Sequence, residues 1–143
     1  MSKEKRRRHL FSAGILLFLL ALVTGMIFPM LANPRMGLSA HLVGLLGGLF
    51  LIALGAIWPE LDLPQAFDKA AFSLVIFGTY ANLCTTFLAA AFATNRLTAL
   101  AGSGHPAAAW QENVVTAGLV LSSVAMVTVC LLVLWGLYRH RAA

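Results

Sequence analysis

Hydrophobic and polar positions divide the chain into four long apolar stretches joined by short polar ones. From Leu10 to about Leu31 the run carries no charge and is roughly 22 residues long, enough to cross a hydrocarbon core about 30 Å thick. A second stretch extends from about Ala40 to Trp58 and is closed by Pro59, a third from about Lys69 to Thr94, and a fourth from about Val114 to Tyr138. The fourth ends on Trp135 and Tyr138, aromatics suited to a membrane interface. The basic head before Leu10 is what a secretory signal carries. The apolar part, however, exceeds the usual h-region of about 7–15 residues and no small-x-small cleavage site follows, so it is kept as the first transmembrane helix.

The polar segments read as connections. Asn33-Pro34 breaks the pattern, because a residue before proline is pushed out of the α region. Glu60 to Asp68 holds three acids and, counting Pro59, two prolines, which marks a water-exposed turn. The segment from Asn95 to Asn113 is the longest and includes Gly102, Gly104, His105, Pro106 and Trp110, with His105 expected to be an ordinary loop residue. The third stretch is the most polar. Gly78, Thr79, Asn82, Thr85 and Thr86 share a helical face with Tyr80 beside it, and since lipid cannot satisfy polar groups this face is expected to look inward.

Composition excludes a soluble domain: 60% of the 143 residues are hydrophobic and 10% charged, and mean hydropathy is +0.87. The expectation is an all-α integral membrane protein, one domain spanning residues 1–143, built as a bundle of four transmembrane helices. The pI near 9.9 comes from Lys3, Lys5, Arg6, Arg7 and Arg8 before one span and Arg139 and Arg141 after another, which are topology signals rather than a nucleic-acid patch. With both termini in the cytoplasm, eight of the ten Lys and Arg residues, Lys69 included, fall inside, and only Arg35 and Arg96 fall outside. Arg35 then anchors an outer turn. Cys84 and Cys130 lie in apolar runs without CxxC spacing and read as small core residues.

Candidate chemistry centres on His41, at the outer end of the second span; His9 and His140 sit among the basic residues of the termini. On a helix, His41, Gly44, Gly48, Leu51, Ile52 and Gly55 share one face. Gly44 and Gly48 form a GxxxG pair, which admits either a close-packed helix or a flat ligand. His41 itself is either an interfacial or capping residue or the ligand of a metal or haem iron, its other ring nitrogen held by a carbonyl or carboxylate. There is no second histidine in any span, so a bis-histidine cytochrome is disfavoured, and a haem here would keep a position open for Lewis-acid chemistry on a bound oxygen. Glu112 is a proton donor or acceptor or else a partner for free helix N–H groups. Asn82 binds substrate or bonds helices together, and Tyr80 offers a phenol beside the same face.

The run NPRMGLSAHL from Asn33 to Leu42, the IWP ending at Pro59, GTYAN from Gly78 to Asn82 and QEN from Gln111 to Asn113 together resemble the hydroxylaminobenzene mutases across nearly the whole chain. More distantly, Ala40-His41 and Ala81-Asn82 are similar to the styrene oxide isomerases. The resemblance implies a multi-pass enzyme of the bacterial inner membrane that converts an aryl hydroxylamine into an aminophenol with no net redox change. It further implies a homo-oligomer, a trimer by the isomerases' example, holding haem b through His41, with Tyr80 and Asn82 orienting the substrate. The chain departs from the epoxide isomerases at Gly47, where an asparagine is expected, and at Gly78 and Thr86, where an aspartate and a tyrosine are. Two other classes compete. A proton-coupled exporter would need a carboxylate inside a span, and none is found there; a structural membrane subunit would need no chemistry at all.

Overall fold

The computed structural model describes residues 1–101 and 107–142. It is all-helical over these residues, with α1 at Lys3–Ile27, α2 at Pro34–Ile57, α3 at Gln65–Phe92 and α4 at Ala109–Ala142. Short 3-10 turns at Phe28–Met30, Trp58–Glu60 and Ala99–Ala101 lie in the connections. Among the described residues, four helical segments are long and apolar enough to cross a membrane: Lys3–Met30, Pro34–Glu60, Gln65–Phe92 and Ala109–Arg139. His105, with Gly102, Gly104 and Pro106, falls outside the described residues.

Each helix begins before its apolar run, because hydropathy marks the hydrocarbon layer and not the helix. α1 starts within the basic head: the Ser2 hydroxyl accepts from the Lys5 N–H, and Glu4 in the first turn complements the helix dipole. α2 starts at Pro34 rather than near Ala40. The Asn33-Pro34 pair that ends the preceding segment also launches the helix, with Asn33 Oδ1 accepting from the Met36 N–H at 3.1 Å and Pro34 in the first turn, where it has no N–H to waste. Asn33 is buried, its backbone N–H donates to the Ala90 carbonyl at 2.9 Å, and its Nδ2 donates to Ala101, so this one residue ties α2, α3 and the α3–α4 connection together. α3 ends at Ala93, whose φ of 53° is left-handed, the backbone conformation that reverses a helix end.

Consecutive helices pack in pairs, with α1 against α2, α2 against α3 and α3 against α4, while α2 and α4 stand apart. Small residues set the closest approaches: a Cβ on Gly48 would lie 2.8 Å from the Gly14 carbonyl oxygen, and one on Gly78 would lie 2.9 Å from Met126 Sδ. The core holds Leu10, Leu17, Leu51, Trp58, Val75 and Val129, all fully buried. The outer faces of α1 and α4 expose Ile15, Leu19, Val127 and Leu131, which suits a lipid solvent. Cys84 and Cys130 are exposed and belong to such faces rather than to the core. In a membrane helix both sides are apolar, so apolar neighbours do not distinguish the core from the lipid.

Both termini and the α2–α3 connection meet at one end of the bundle. Lys3 Nζ donates to the Leu61 carbonyl at 2.6 Å, and Arg139 pairs with Asp62 at 3.6 Å. Asp68, expected in a water-exposed turn, is instead buried in the first turn of α3. It forms an ion pair with buried Arg6 and accepts from Trp58 Nε1 at 3.1 Å. A carboxylate at this depth needs both partners, since a buried charge left alone is expensive.

Candidate functional site

His41 lies in α2, eight residues into the helix that Asn33 and Pro34 start. Its ring crosses to α1, where Nδ1 is 2.7 Å from the Ala21 carbonyl oxygen. A carbonyl can only accept, so Nδ1 carries a proton, which leaves Nε2 as the nitrogen that can offer a lone pair. That tautomer is the one a metal-ligating imidazole adopts when a backbone acceptor orients it. Gly25 makes the position possible, because a Cβ there would lie 2.6 Å from Nδ1. The residue remains half-buried, so the ring is reachable.

Gly44 and Gly48 do not offer a ligand surface in this chain. A Cβ on Gly44 would meet Ala21 Cβ at 2.6 Å, and one on Gly48 would meet the Gly14 backbone and Phe18. α1 fills the space that the missing side chains leave, and the GxxxG pair is a helix contact.

The inward polar face of α3 is present as expected, with Gly78, Thr79, Thr85 and Thr86 buried against the bundle. Two of its hydroxyls turn back on their own helix: Thr79 Oγ1 donates to Val75 at 2.8 Å and Thr86 Oγ1 to Asn82 at 2.7 Å. The Asn82 carboxamide is free of hydrogen bonds among the described residues and lines a cavity of about 320 Å³ between α2, α3 and α4. Val43, Leu46, Gly47, Phe50 and Met126 supply apolar walls, and Thr79 lies next to Asn82. Sequence reasoning passed over Val43, Leu46 and Phe50, although their spacing of three and four along α2 marks a second stripe on that helix.

His41 is not among the residues lining this cavity. Val43 follows it by two positions, about 200° around the helix, so the stripe facing the cavity and the imidazole occupy nearly opposite sides of α2. Tyr80 is not among the residues lining the cavity either, and it reaches α1 at another level than His41: its hydroxyl donates to the Ala13 carbonyl at 2.8 Å. Ala13 and Ala21, the two carbonyls engaged, are about 12 Å apart along the axis of α1. Glu112 belongs with none of these. Its two carboxylate oxygens accept from the backbone N–H groups of Asn95 and Arg96, at 2.8 and 3.1 Å, and fasten the connection that follows α3 to the start of α4. Within one chain the four candidates are therefore spread over four places.

A family model described as styrene oxide isomerase matches residues 6–138. The chain is similar to the hydroxylaminobenzene mutase HabB of Ectopseudomonas oleovorans, 49% identical over 131 residues that cover 91% of this chain and 80% of that protein. It is also similar to HabA of the same organism, a second hydroxylaminobenzene mutase, 42% identical over 132 residues that cover 92% of this chain and 98% of that one. No solved structure matches the chain.

Proposed function

The chain belongs to the styrene oxide isomerase family and is an isomerase, and from that premise we propose that it is a membrane mutase acting on aryl hydroxylamines such as hydroxylaminobenzene. The product is the 2-aminophenol. The hydroxyl leaves nitrogen for the ortho carbon and the hydrogen displaced from that carbon ends on nitrogen, so substrate and product are isomers and no oxidant or reductant is consumed. The observation that carries this reading is the 49% identity to a hydroxylaminobenzene mutase across 91% of the chain. The cavity supports it, since apolar walls suit an aryl ring and one unengaged carboxamide suits an N–OH group.

His41 has the donor chemistry to hold haem b. With Nδ1–H committed to Ala21, Nε2 of His41 would be the atom that holds the iron. When bound, ferric haem supplies a Lewis acid that weakens the N–O bond. The chain's own residues do the rest. Asn82 orients the hydroxylamino group, Val43, Leu46, Phe50 and Met126 hold the ring and exclude water, and Tyr80 holds α3 to α1. Because His41 and the cavity lie on opposite sides of α2, the site is completed between subunits, the imidazole of one facing the cavity of the next, in a homo-oligomer read as a trimer. We read the end that carries Lys3, Arg8 and Arg139 as the cytoplasmic one, by the positive-inside rule, and the membrane as the inner membrane of a bacterium.

The epoxide alternative is weaker here. An aspartate at Gly78 would need the Met126 side chain to move aside, since a Cβ there lies 2.9 Å from its Sδ. An exporter would need a titratable carboxylate in a span, and Asp68 is committed to Arg6. The test is to incubate membranes containing the protein with hydroxylaminobenzene and to separate the products. Accumulation of 2-aminophenol, together with a Soret band that His41→Ala abolishes, supports the reading; unchanged substrate beside a colourless protein overturns it.

A further inference from the structure

Phe50 lines two cavities. On one side is the 320 Å³ space that holds Asn82; on the other is a groove of about 390 Å³ between α2 and α4, lined by Ala53, Leu54, Ile57, Cys130, Val133 and Leu134. No polar side chain lines that second groove. Two contacts set the order of levels along the bundle. A Cβ on Gly44 would touch Leu83 and one on Gly47 would touch Thr79, so Asn82 stands near the level of Gly44, and Phe50 lies about 9 Å further toward the Trp58 end. α4 descends in the same direction, from Met126 beside the first cavity to Cys130 and Val133 beside the second. The two spaces thus lie one after the other along the bundle, Asn82 beside the first and Phe50 between them.

We infer that together they act as one track, which makes the enzyme a mutase for para-extended aryl hydroxylamines, and that Phe50 sets how long the para substituent can be. The inference rests on the function proposed above. A substrate whose nitrogen is at Asn82 directs its para carbon away from that residue, along the track and toward Phe50. Both ortho carbons stay free for hydroxyl migration, so an alkyl or aryl group at the para position lengthens the substrate without blocking the reaction. Beyond Phe50 such a group finds only apolar wall, where each methylene drawn from water is worth up to roughly fourfold in affinity.

The experiment compares kcat/KM for hydroxylaminobenzene and for its 4-butyl derivative on the same preparation of membrane-embedded holoprotein, so that losses in folding or cofactor loading cancel in the ratio. Phe50→Ala removes the partition and is expected to raise the ratio of butyl to parent substrate by about tenfold. Ala53→Phe fills the second groove from an exposed position on α2 and is expected to lower the ratio by a similar factor. Should the parent compound be converted while both variants leave the ratio where the wild type has it, the groove belongs to a lipid chain or to a second subunit and the inference is overturned, with the mutase reading intact. If no variant and no wild-type preparation converts the parent compound, the mutase reading fails and the inference goes with it.

Discussion

The Nδ1 of His41 donates to the carbonyl of Ala21 on the neighbouring helix at 2.7 Å, beside a glycine, Gly25, that cannot carry a side chain without striking the ring. Orientation of the imidazole is therefore a property of α1 as much as of α2. Gly25→Ala would put a methyl 2.6 Å from Nδ1 and force the ring off its acceptor. Outer partners of metal-ligating histidines are worth about 10–100-fold in affinity. On the haem ligation proposed for His41, purified Gly25→Ala protein is expected to lose most of its haem, read as the Soret absorbance per mole of protein, while its circular dichroism stays helical. A full complement of haem in this variant would mean that the Ala21 bond does not orient the ligand.

Asn82 makes a separable prediction because its carboxamide has no partner to lose. Asn82→Ala is expected to lower kcat/KM for hydroxylaminobenzene by about 100-fold, the scale for one polar group that orients charge developing in a transition state. Haem content and thermal midpoint in detergent should stay at the wild-type values. A variant that keeps its activity would move the substrate away from this cavity.

Tyr80 is expected to behave in the opposite way. Its hydroxyl is spent on the Ala13 carbonyl, so Tyr80→Phe removes an interhelical hydrogen bond worth about 1 kcal/mol and leaves the Asn82 cavity untouched. Thermal unfolding in detergent should shift downward while kcat/KM changes by less than about threefold, a change that one bond of this size can produce by misplacing α3. A large loss of kcat with unchanged stability would assign the phenol to the reaction.

Much of this was legible in the residues. Hydropathy located all four spans, the offset pattern from His41 found the glycine face, the polar residues of the third span found the inward face of α3, and the basic residues at both termini placed them at one end. The glycine face was assigned to two possible neighbours, and only packing shows that α1 occupies it through Gly14, Phe18 and Ala21. Long-range partners cannot be read from local spacing: nothing near Asp68 in the sequence indicates Arg6, and nothing near Glu112 indicates the N–H groups of Asn95 and Arg96. Cys84 and Cys130 were misjudged for a different reason, which is that lipid and core favour the same side chains.

The Arg6–Asp68 pair provides a stability prediction. Both side chains are buried, with relative exposures of 4% and 12%, and Trp58 Nε1 adds a second bond to the carboxylate. Asp68→Asn leaves a buried guanidinium without its counter-charge, a change that costs about 3–5 kcal/mol when a buried pair is broken from one side. Replacing both residues, Arg6→Met with Asp68→Leu, removes the uncompensated charge and should recover most of the loss. The measurement is the thermal midpoint of each variant in the same detergent; a double variant no more stable than Asp68→Asn would show that the pair does not act as a unit.

Glu112 separates a structural carboxylate from a catalytic one. Its two oxygens accept from Asn95 and Arg96, and both bonds are charge-assisted. Glu112→Gln keeps one acceptor oxygen and replaces the other with an NH₂ group that faces a donor, so the connection after α3 should loosen. The expected outcome is a stability loss of about 1–2 kcal/mol, with kcat/KM for hydroxylaminobenzene within about twofold of wild type at a temperature well below the unfolding transition. If Glu112 moved a proton in the rate-limiting step, the same substitution would instead reduce kcat by about 100-fold or more and leave the thermal midpoint where it was.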